Sequence, residues 1–227
     1  MTRLLLFDID NTLLYTGGAG VAAMNLAFRE MFGGVDDGFG KANTSGRTDL
    51  YILSEGLRHH GINDGHEAHL DKLLPRYYGH LRHTLGERQG HLMPGFPQLL
   101  EALSQNDGVR IGLATGNFSE AAWMKLDHYG IRQYFADDGA FGEESLDRSE
   151  MVRLGVERFG DGAAPEDILI IGDTPHDVSA ALDNGFVAVG VATGNYTVDQ
   201  LRESGAHLVF QDFADWQGAA AKLAGEA

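Results

Sequence analysis

The stretch Leu4-Leu5-Leu6-Phe7-Asp8-Ile9-Asp10-Asn11-Thr12 decides the fold of this chain, because a short apolar run ends abruptly in two carboxylates. A nearly continuous apolar run of this length is typical of a strand that is buried on both faces of a sheet. Residues two apart in an extended segment point the same way, so Asp8 and Asp10 can face one site. Two close carboxylates resist burial unless a cation offsets their charge, and a hard divalent ion with a phosphate ligand does so.

The rest of the chain repeats the pattern of the first strand. Further short apolar runs lie at residues 109–114, 168–171, 186–191 and 208–210, and helical spacing of apolar residues appears between them, for example at residues 96–103 and 151–159. Strands that alternate with helices predict a parallel α/β sheet flanked by helices.

Residues 17–90 differ from this pattern because they contain no convincing strand. Helices are predicted at residues 21–32, 49–60 and 66–85, with glycine-rich connections between them. We therefore predict an all-helical cap domain over residues 17–90, inserted into an α/β core that comprises residues 1–16 and 91–227. The two hinges are expected at Gly17-Gly18 and at residues 90–95.

The bulk composition limits the partners that the chain can have. The formal net charge of the 227 residues is −16, which argues against nucleic acid or an anionic membrane as the main partner. There is no cysteine, so a disulfide framework and a thiolate zinc site are excluded. The apolar start is interrupted too early for a signal peptide, and no apolar stretch is long enough to span a bilayer. These features predict a cytoplasmic protein.

Two further groups of polar residues stand at predicted strand ends. Thr115, Gly116 and Asn117 follow the run at residues 109–114, and a hydroxyl beside accessible backbone N–H groups suits a phosphate oxygen. Asp173 and Asp177 follow the run at residues 168–171. Ligands of open α/β sheets bind beyond the carboxyl ends of the strands, so all these side chains are expected near one site. The alternative is that each group forms an ordinary turn or caps a helix.

Two arginines are candidates for the positive charge that a phosphate site needs. Arg148 begins the predicted helix before the run at residues 168–171, and Arg47 stands before the predicted helix at residues 49–60. Arg47 is the candidate for a contact between the cap and an anionic group of the substrate. The alternatives are a solvated surface arginine for Arg148 and a helix-entry pair with Asp49 for Arg47.

These motifs, in this order, resemble the haloacid dehalogenase superfamily over nearly the whole chain, from Arg3 to about Phe210. Within it, the small helical cap after the first motif and the stretches Ser45-Gly46-Arg47-Thr48-Asp49 and Met93-Pro94-Gly95 are similar to the phosphoglycolate phosphatase group. The resemblance implies a Rossmann-like core. The chain departs from the family at Arg148, where lysine is more frequent; arginine keeps the charge but differs in donor shape.

The resemblance also implies a magnesium-dependent phosphatase that acts on a small phosphorylated metabolite, with phosphoglycolate as the first candidate. In such an enzyme Asp8 is the nucleophile that forms an aspartyl-phosphate, and Asp10 is the general acid and base. Asp8, the backbone carbonyl of Asp10, and Asp173 bind Mg²⁺ directly. Asp177 does not bind the ion itself but stabilises the residues that do. Thr115, Gly116, Asn117 and Arg148 are the implied phosphate-binding residues.

Alternative functions stay open at this point. A haloacid dehalogenase lacks the second aspartate, so Asp10 favours phosphate chemistry, whereas a phosphonatase adds a cap lysine, for which Lys41 is the candidate by position only. A sugar-phosphate mutase is compatible with Asn11-Thr12 and is separated from a phosphatase only by its products. A receiver-like signalling or binding protein also carries an acidic pocket with a phosphorylatable aspartate, but the length and the inserted helices argue against it.

Overall fold

The computed structural model describes residues 2–33, 44–63, 66–137 and 139–226. Within these ranges the strands are β1 (Arg3–Phe7), β2 (Leu14–Tyr15), β3 (His91–Leu92), β4 (Val109–Ala114), β5 (Gly139–Ala140), β6 (Ile168–Gly172), β7 (Val187–Val191) and β8 (Leu208–Phe210). The helices are α1 (Ala19–Phe32), α2 (Asp49–His59), α3 (His66–Glu87), α4 (Gln98–Ser104), α5 (Ser119–His128), α6 (Arg148–Phe159), α7 (Pro175–Asp183), α8 (Val198–Glu203) and α9 (Trp216–Ala224).

Six of these strands form one sheet in the order β5-β4-β1-β6-β7-β8, and every pair of neighbours is parallel. β1 lies in the middle, between β4 and β6. Its last residue, Phe7, is level with Leu113 of β4 and Ile171 of β6. The three strands therefore end at nearly the same height, which places the residues that follow them side by side.

Apolar side chains cover both faces of β1, as its sequence predicts. Leu5 and Phe7 pack in one cluster with residues of α4 and α5, and Leu4 and Leu6 pack on the opposite face with residues of α6 and α7. These four side chains are at most 2% exposed. The continuous apolar run of β1 is thus explained by helices on both sides of the sheet.

The segment between β2 and β3 is helical and has an apolar cluster of its own. Its buried side chains come from α1, α2 and α3, and Phe118 and Ala121, which lie at and within α5, complete the cluster. β2 and β3 pair antiparallel at the two ends of this segment, with Leu14 opposite Leu92. The two connections between this helical segment and the rest of the chain therefore lie side by side.

The predicted α/β fold with a parallel sheet is confirmed, and the predicted strands agree with β1, β4, β6, β7 and β8 within one residue. β2, β3 and β5 were not predicted because two residues are too few to show a periodic pattern. Ser119 is the first residue of α5, and its backbone N–H group donates to the Glu143 carboxylate. No helix among the described residues combines the length and the apolar character that a membrane span requires.

We predict that Leu5→Ala lowers the free energy of unfolding by about 2–5 kcal/mol, because it opens a cavity beneath the central strand. Leu182→Ala in α7 is the matched control, since Leu182 is 39% exposed and should lose no more than about 0.5 kcal/mol. Urea denaturation of both variants measures the difference. Similar losses in the two variants would contradict the assignment of Leu5 to the core.

Candidate active site

The carboxyl ends of the three central strands bring the predicted acidic and phosphate-binding residues together. Asp8 directly follows β1, Thr115 follows β4, and Asp173 follows β6. All three side chains are buried, with exposures of 7%, 0% and 3%. Their proximity follows from the level ends of the strands, and it places them at the edge of the sheet where ligands of this architecture bind.

Three carboxylates form a buried acidic cluster at this edge. One oxygen from each of Asp8, Asp173 and Asp177 lies within 4.8 Å of the others. Burial raises the pKa of Asp8 to about 6 and that of Asp173 to about 8, and repulsion between the neighbouring carboxylates adds to both shifts. The positive charge that the protein places beside the cluster therefore does not balance its three carboxylates. Their all-oxygen donor set fits a hard divalent cation such as Mg²⁺.

Arg148 supplies the positive charge that the protein itself brings to this cluster. As the first residue of α6, it places one guanidinium nitrogen (Nη2) 3.0 Å from Asp8 Oδ1 and 2.5 Å from Asp177 Oδ1. Its side chain is only 8% exposed. The alternative of a solvated surface arginine is thus wrong. A single guanidinium nitrogen links the residue after β1 to the first turn of α7.

Asp177 is fixed by the first turn of α7. Its Oδ2 accepts hydrogen bonds from the backbone N–H and the hydroxyl group of Thr174, at 3.0 and 2.7 Å. The Thr174 hydroxyl in turn accepts from the Asp177 backbone N–H group, which completes a capping box. One oxygen of Asp177 thus caps the helix, while the other contacts Arg148.

The segment after β4 is held by contacts of its own. The Thr115 hydroxyl accepts a hydrogen bond from Asn117 Nδ2 at 2.8 Å, and the Gly116 carbonyl accepts from the Asp49 backbone N–H at 2.6 Å. A Cβ atom on Gly116 would lie 2.3 Å from the Arg47 carbonyl oxygen, so only glycine allows this close approach. The role of these residues in phosphate binding stays a prediction.

Lys125 is the site residue that the sequence analysis did not single out. Its ammonium group lies 2.5 Å from Asp10 Oδ2 and 2.5 Å from Asn117 Oδ1, and Asn117 Nδ2 donates to the same Asp10 oxygen at 2.9 Å. The lysine side chain is only 3% exposed. Because a lysine is almost never fully buried without a partner, these contacts fix the orientation of Asp10.

The predicted cap contact, Arg47, lines the cavity in front of these residues. It is exposed, and its guanidinium carbon lies 4.9 Å from the centre of the Tyr51 ring. The alternative pairing of Arg47 with Asp49 is not found, since Asp49 Oδ2 accepts instead from the Phe118 backbone N–H at 3.1 Å. Burial raises the pKa of Asp49 to about 7. Lys41, the candidate for a phosphonatase, lies outside the described residues.

A cavity of about 240 Å³ opens between this edge of the sheet and the helices of residues 19–87. Its walls include Asp8, Asp10, Arg148 and Asp173 at the sheet end and Met24, Ile52 and Tyr77 at the helical end. Sites for drug-sized ligands are larger, roughly 300–1,000 Å³. The cavity therefore suits a compact molecule that reaches the acidic cluster with one end.

Comparisons with known proteins agree with this architecture. The probable phosphatase IndB of Dickeya dadantii is 27% identical over 228 residues, which cover 98% of this chain and 95% of that protein. The phosphoglycolate phosphatase of Escherichia coli O157:H7 is 25% identical, with 92% of this chain and 88% of that protein covered. The crystal structure of the β-phosphoglucomutase of Clostridium difficile is similar in fold, with a TM-score of 0.73, 20% identity and coverage of 100% and 98%.

The family model for haloacid dehalogenase-like hydrolases matches residues 2–185, which include the acidic cluster and the residues that line the cavity, apart from Asn195. This match sets aside the receiver-like alternative. The chain belongs to the haloacid dehalogenase-like hydrolases, as the resemblance of its motifs predicts.

Proposed function

We propose that this hydrolase is a magnesium-dependent phosphatase, which cleaves a small phosphomonoester through an aspartyl-phosphate on Asp8. The observation that carries the proposal is the buried cluster of Asp8, Asp173 and Asp177, which Arg148 contacts at the sheet end of the cavity. A dehalogenation site has no need for three clustered carboxylates, whereas a site for a cation and a phosphate does. The phosphatase names of the two relatives support the same activity.

The acidic cluster provides the ligands for the metal ion. We assign Mg²⁺ to the carboxylates of Asp8 and Asp173 and to the backbone carbonyl of Asp10, with Asp177 holding the surrounding structure in place. When bound, the ion neutralises charge on the phosphoryl group and on its carboxylate ligands. Arg148 adds a fixed positive charge on the side of Asp8 where the phosphoryl oxygens would lie.

The first step transfers the phosphoryl group to the enzyme. An oxygen of Asp8 forms a bond to phosphorus as the bond from phosphorus to the ester oxygen breaks. Asp10 gives its proton to the departing alkoxide, so that a neutral alcohol leaves. Lys125 and Asn117 hold the Asp10 carboxyl group in position for this transfer. The Thr115 hydroxyl and Arg148 bind the oxygens of the moving phosphoryl group.

The second step returns Asp8 to its starting state. Asp10 removes a proton from a water molecule, which attacks phosphorus while the bond between phosphorus and Asp8 breaks. Inorganic phosphate leaves, and Asp10 again carries the proton for the next turnover. A mutase would instead return the phosphoryl group to a second sugar oxygen, so the release of inorganic phosphate distinguishes the two reactions.

The helices of residues 17–90 are proposed to act as a cap over the core of residues 1–16 and 91–227. The paired strands β2 and β3 hold the two connections together, and the cavity lies between the helices and the sheet edge. Exclusion of water by these helices would protect the aspartyl-phosphate and select the leaving group. Arg47 lines this cavity and is the residue of the helical segment that we propose to contact the substrate.

We predict that Asp8→Asn lowers kcat at least about 10³-fold, because an amide oxygen does not attack phosphorus effectively. The release of inorganic phosphate from p-nitrophenyl phosphate with Mg²⁺ measures the loss. Circular dichroism should show an unchanged fold, since asparagine has the same shape as aspartate. Asp199→Asn, at an exposed position of α8, is the control and should retain full activity. Near-normal turnover by Asp8→Asn would rule out Asp8 as the nucleophile.

We also predict that the effect of Lys125→Met depends on the leaving group. An alkyl phosphate needs a proton from Asp10 as it departs, whereas p-nitrophenolate is stable without one. The first-turnover rate should fall about tenfold or more for ethyl phosphate and less than about threefold for p-nitrophenyl phosphate. Rapid-quench measurement of the released alcohol checks both rates. Equal losses on the two esters would show that Lys125 serves the fold and not the orientation of Asp10.

A further inference from the structure

The hydroxyl group of Tyr77 is a buried polar group that the mechanism above does not use. Tyr77 lies in α3, its side chain is 0% exposed, and its ring packs in the apolar cluster of the helical segment. Within the described residues its hydroxyl has no hydrogen-bond partner. A phenol that is buried and unpaired costs free energy, so the position of Tyr77 at the cavity wall points to a ligand as its missing partner.

Residue 20 is glycine, which leaves room for a further carbon atom beside this buried hydroxyl. A Cβ atom on Gly20 would lie 3.8 Å from Tyr77 Oη and 3.7 Å from Lys125 Nζ. The hydroxyl and the ammonium group therefore border the same small volume, which we call the Tyr77 recess. Gly20, Tyr77 and Lys125 border the recess, and Met24 and Ile52 line the cavity of which it is a part.

The Tyr77 recess is continuous with the position of Asp10. Lys125 spans the two, because the ammonium group that borders the recess also contacts Asp10 Oδ2 at 2.5 Å. Two of its three N–H donors bond to Asp10 and Asn117, which leaves one for a further acceptor. An alcohol that takes a proton from Asp10 would thus emerge beside Tyr77 and Lys125.

The charge around the recess selects against an anionic leaving group. The carboxylates of Asp10 and Asp49 line the same cavity, and Lys125 already lies beside Asp10. Arg47 and Arg148 also line the cavity, but Arg47 lies against the Tyr51 ring and Arg148 contacts the acidic cluster. A substrate carboxylate in the recess itself would therefore meet two acidic groups and one shared cation. A substrate hydroxyl meets a phenol that can donate or accept and a lysine that can donate.

We propose that the Tyr77 recess binds the leaving group of the phosphomonoester, and that this leaving group is an uncharged alcohol with at least one further hydroxyl group. Met24 and Ile52 supply the apolar contact for its carbon atoms. This inference rests on the proposed phosphatase function and narrows its substrate class. It favours a short polyol phosphate over phosphoglycolate.

Three esters of similar size test this substrate class with the full-length protein and Mg²⁺: glycerol 1-phosphate, propyl phosphate and phosphoglycolate. We expect kcat/KM to be about tenfold or more higher for glycerol 1-phosphate than for the other two. Tyr77→Phe should lower it about five- to tenfold for glycerol 1-phosphate and less than twofold for propyl phosphate. Because the hydroxyl has no partner among the described residues, Tyr77→Phe should not lower the melting temperature.

Gly20→Ala tests the recess without touching a polar group. Its methyl group would make ordinary contacts of 3.7–3.9 Å, so the fold should accept it, but it would fill the recess. We expect about a tenfold loss of kcat/KM for glycerol 1-phosphate and less than a twofold loss for methyl phosphate. Gly79→Ala in α3 is the matched control, because a Cβ there would meet nothing within 4 Å. It should change neither value.

The outcomes separate the inference from the function on which it rests. A preference for phosphoglycolate, or equal losses on glycerol 1-phosphate and propyl phosphate in Tyr77→Phe, would overturn the proposed leaving group while the phosphatase activity stands. Equal losses on glycerol 1-phosphate and methyl phosphate in Gly20→Ala would show that the recess does not hold the leaving group. A failure to hydrolyse any phosphomonoester would overturn the phosphatase proposal and this inference together.

Discussion

The contacts of Arg148 with Asp8 and Asp177 are the interaction on which the site depends. Three carboxylates converge where β1 and β6 end, and burial and mutual repulsion raise the pKa of Asp8 and Asp173. One guanidinium group within the protein contacts two of the three. In the proposed phosphatase, the remaining negative charge would attract a cation and, through that cation, a phosphate. An overall charge of −16 makes this local balance necessary, because the surface as a whole repels phosphate.

Lys125 supplies a second positive charge, between the acidic cluster and the helical segment. It neutralises Asp10, bonds to Asn117 and borders the recess in front of Tyr77. Asp49, at the start of α2, bonds through its backbone N–H group to the Gly116 carbonyl and through its carboxylate to the Phe118 N–H group. The segment after β4 is therefore tied both to the proposed general acid and to the helices that face it. In the proposed phosphatase, a substrate in the cavity would contact one connected network of groups, and this network would couple leaving-group binding to proton transfer.

The sequence predicted those parts of the structure that depend on local pattern. Continuous apolar runs located the main strands, and the rule that ligands bind at strand ends correctly grouped Asp8 with Asp173. Lys125 was not recognised because its helical neighbours carry no local sign of burial, and its partners are distant in the chain. Sequence patterns likewise do not predict that the Tyr77 hydroxyl is unpaired or that there is room beside Gly20. Both features depend on the tertiary packing of α1, α3 and α5. The three central strands end at nearly the same height because of the register in which they pair. The apolar pattern of each strand does not predict this register.

Calorimetric titration of Mg²⁺ into the metal-free protein tests the shared cation site most directly. We predict one ion per chain and at least a tenfold weaker affinity in both Asp8→Asn and Asp173→Asn, because each variant removes a ligand from a different strand end. Asp199→Asn, which removes an exposed charge far from the acidic cluster along the chain, should bind Mg²⁺ like the unchanged protein. Unchanged affinity in Asp8→Asn and Asp173→Asn would contradict the claim that the two strand ends hold a common ion.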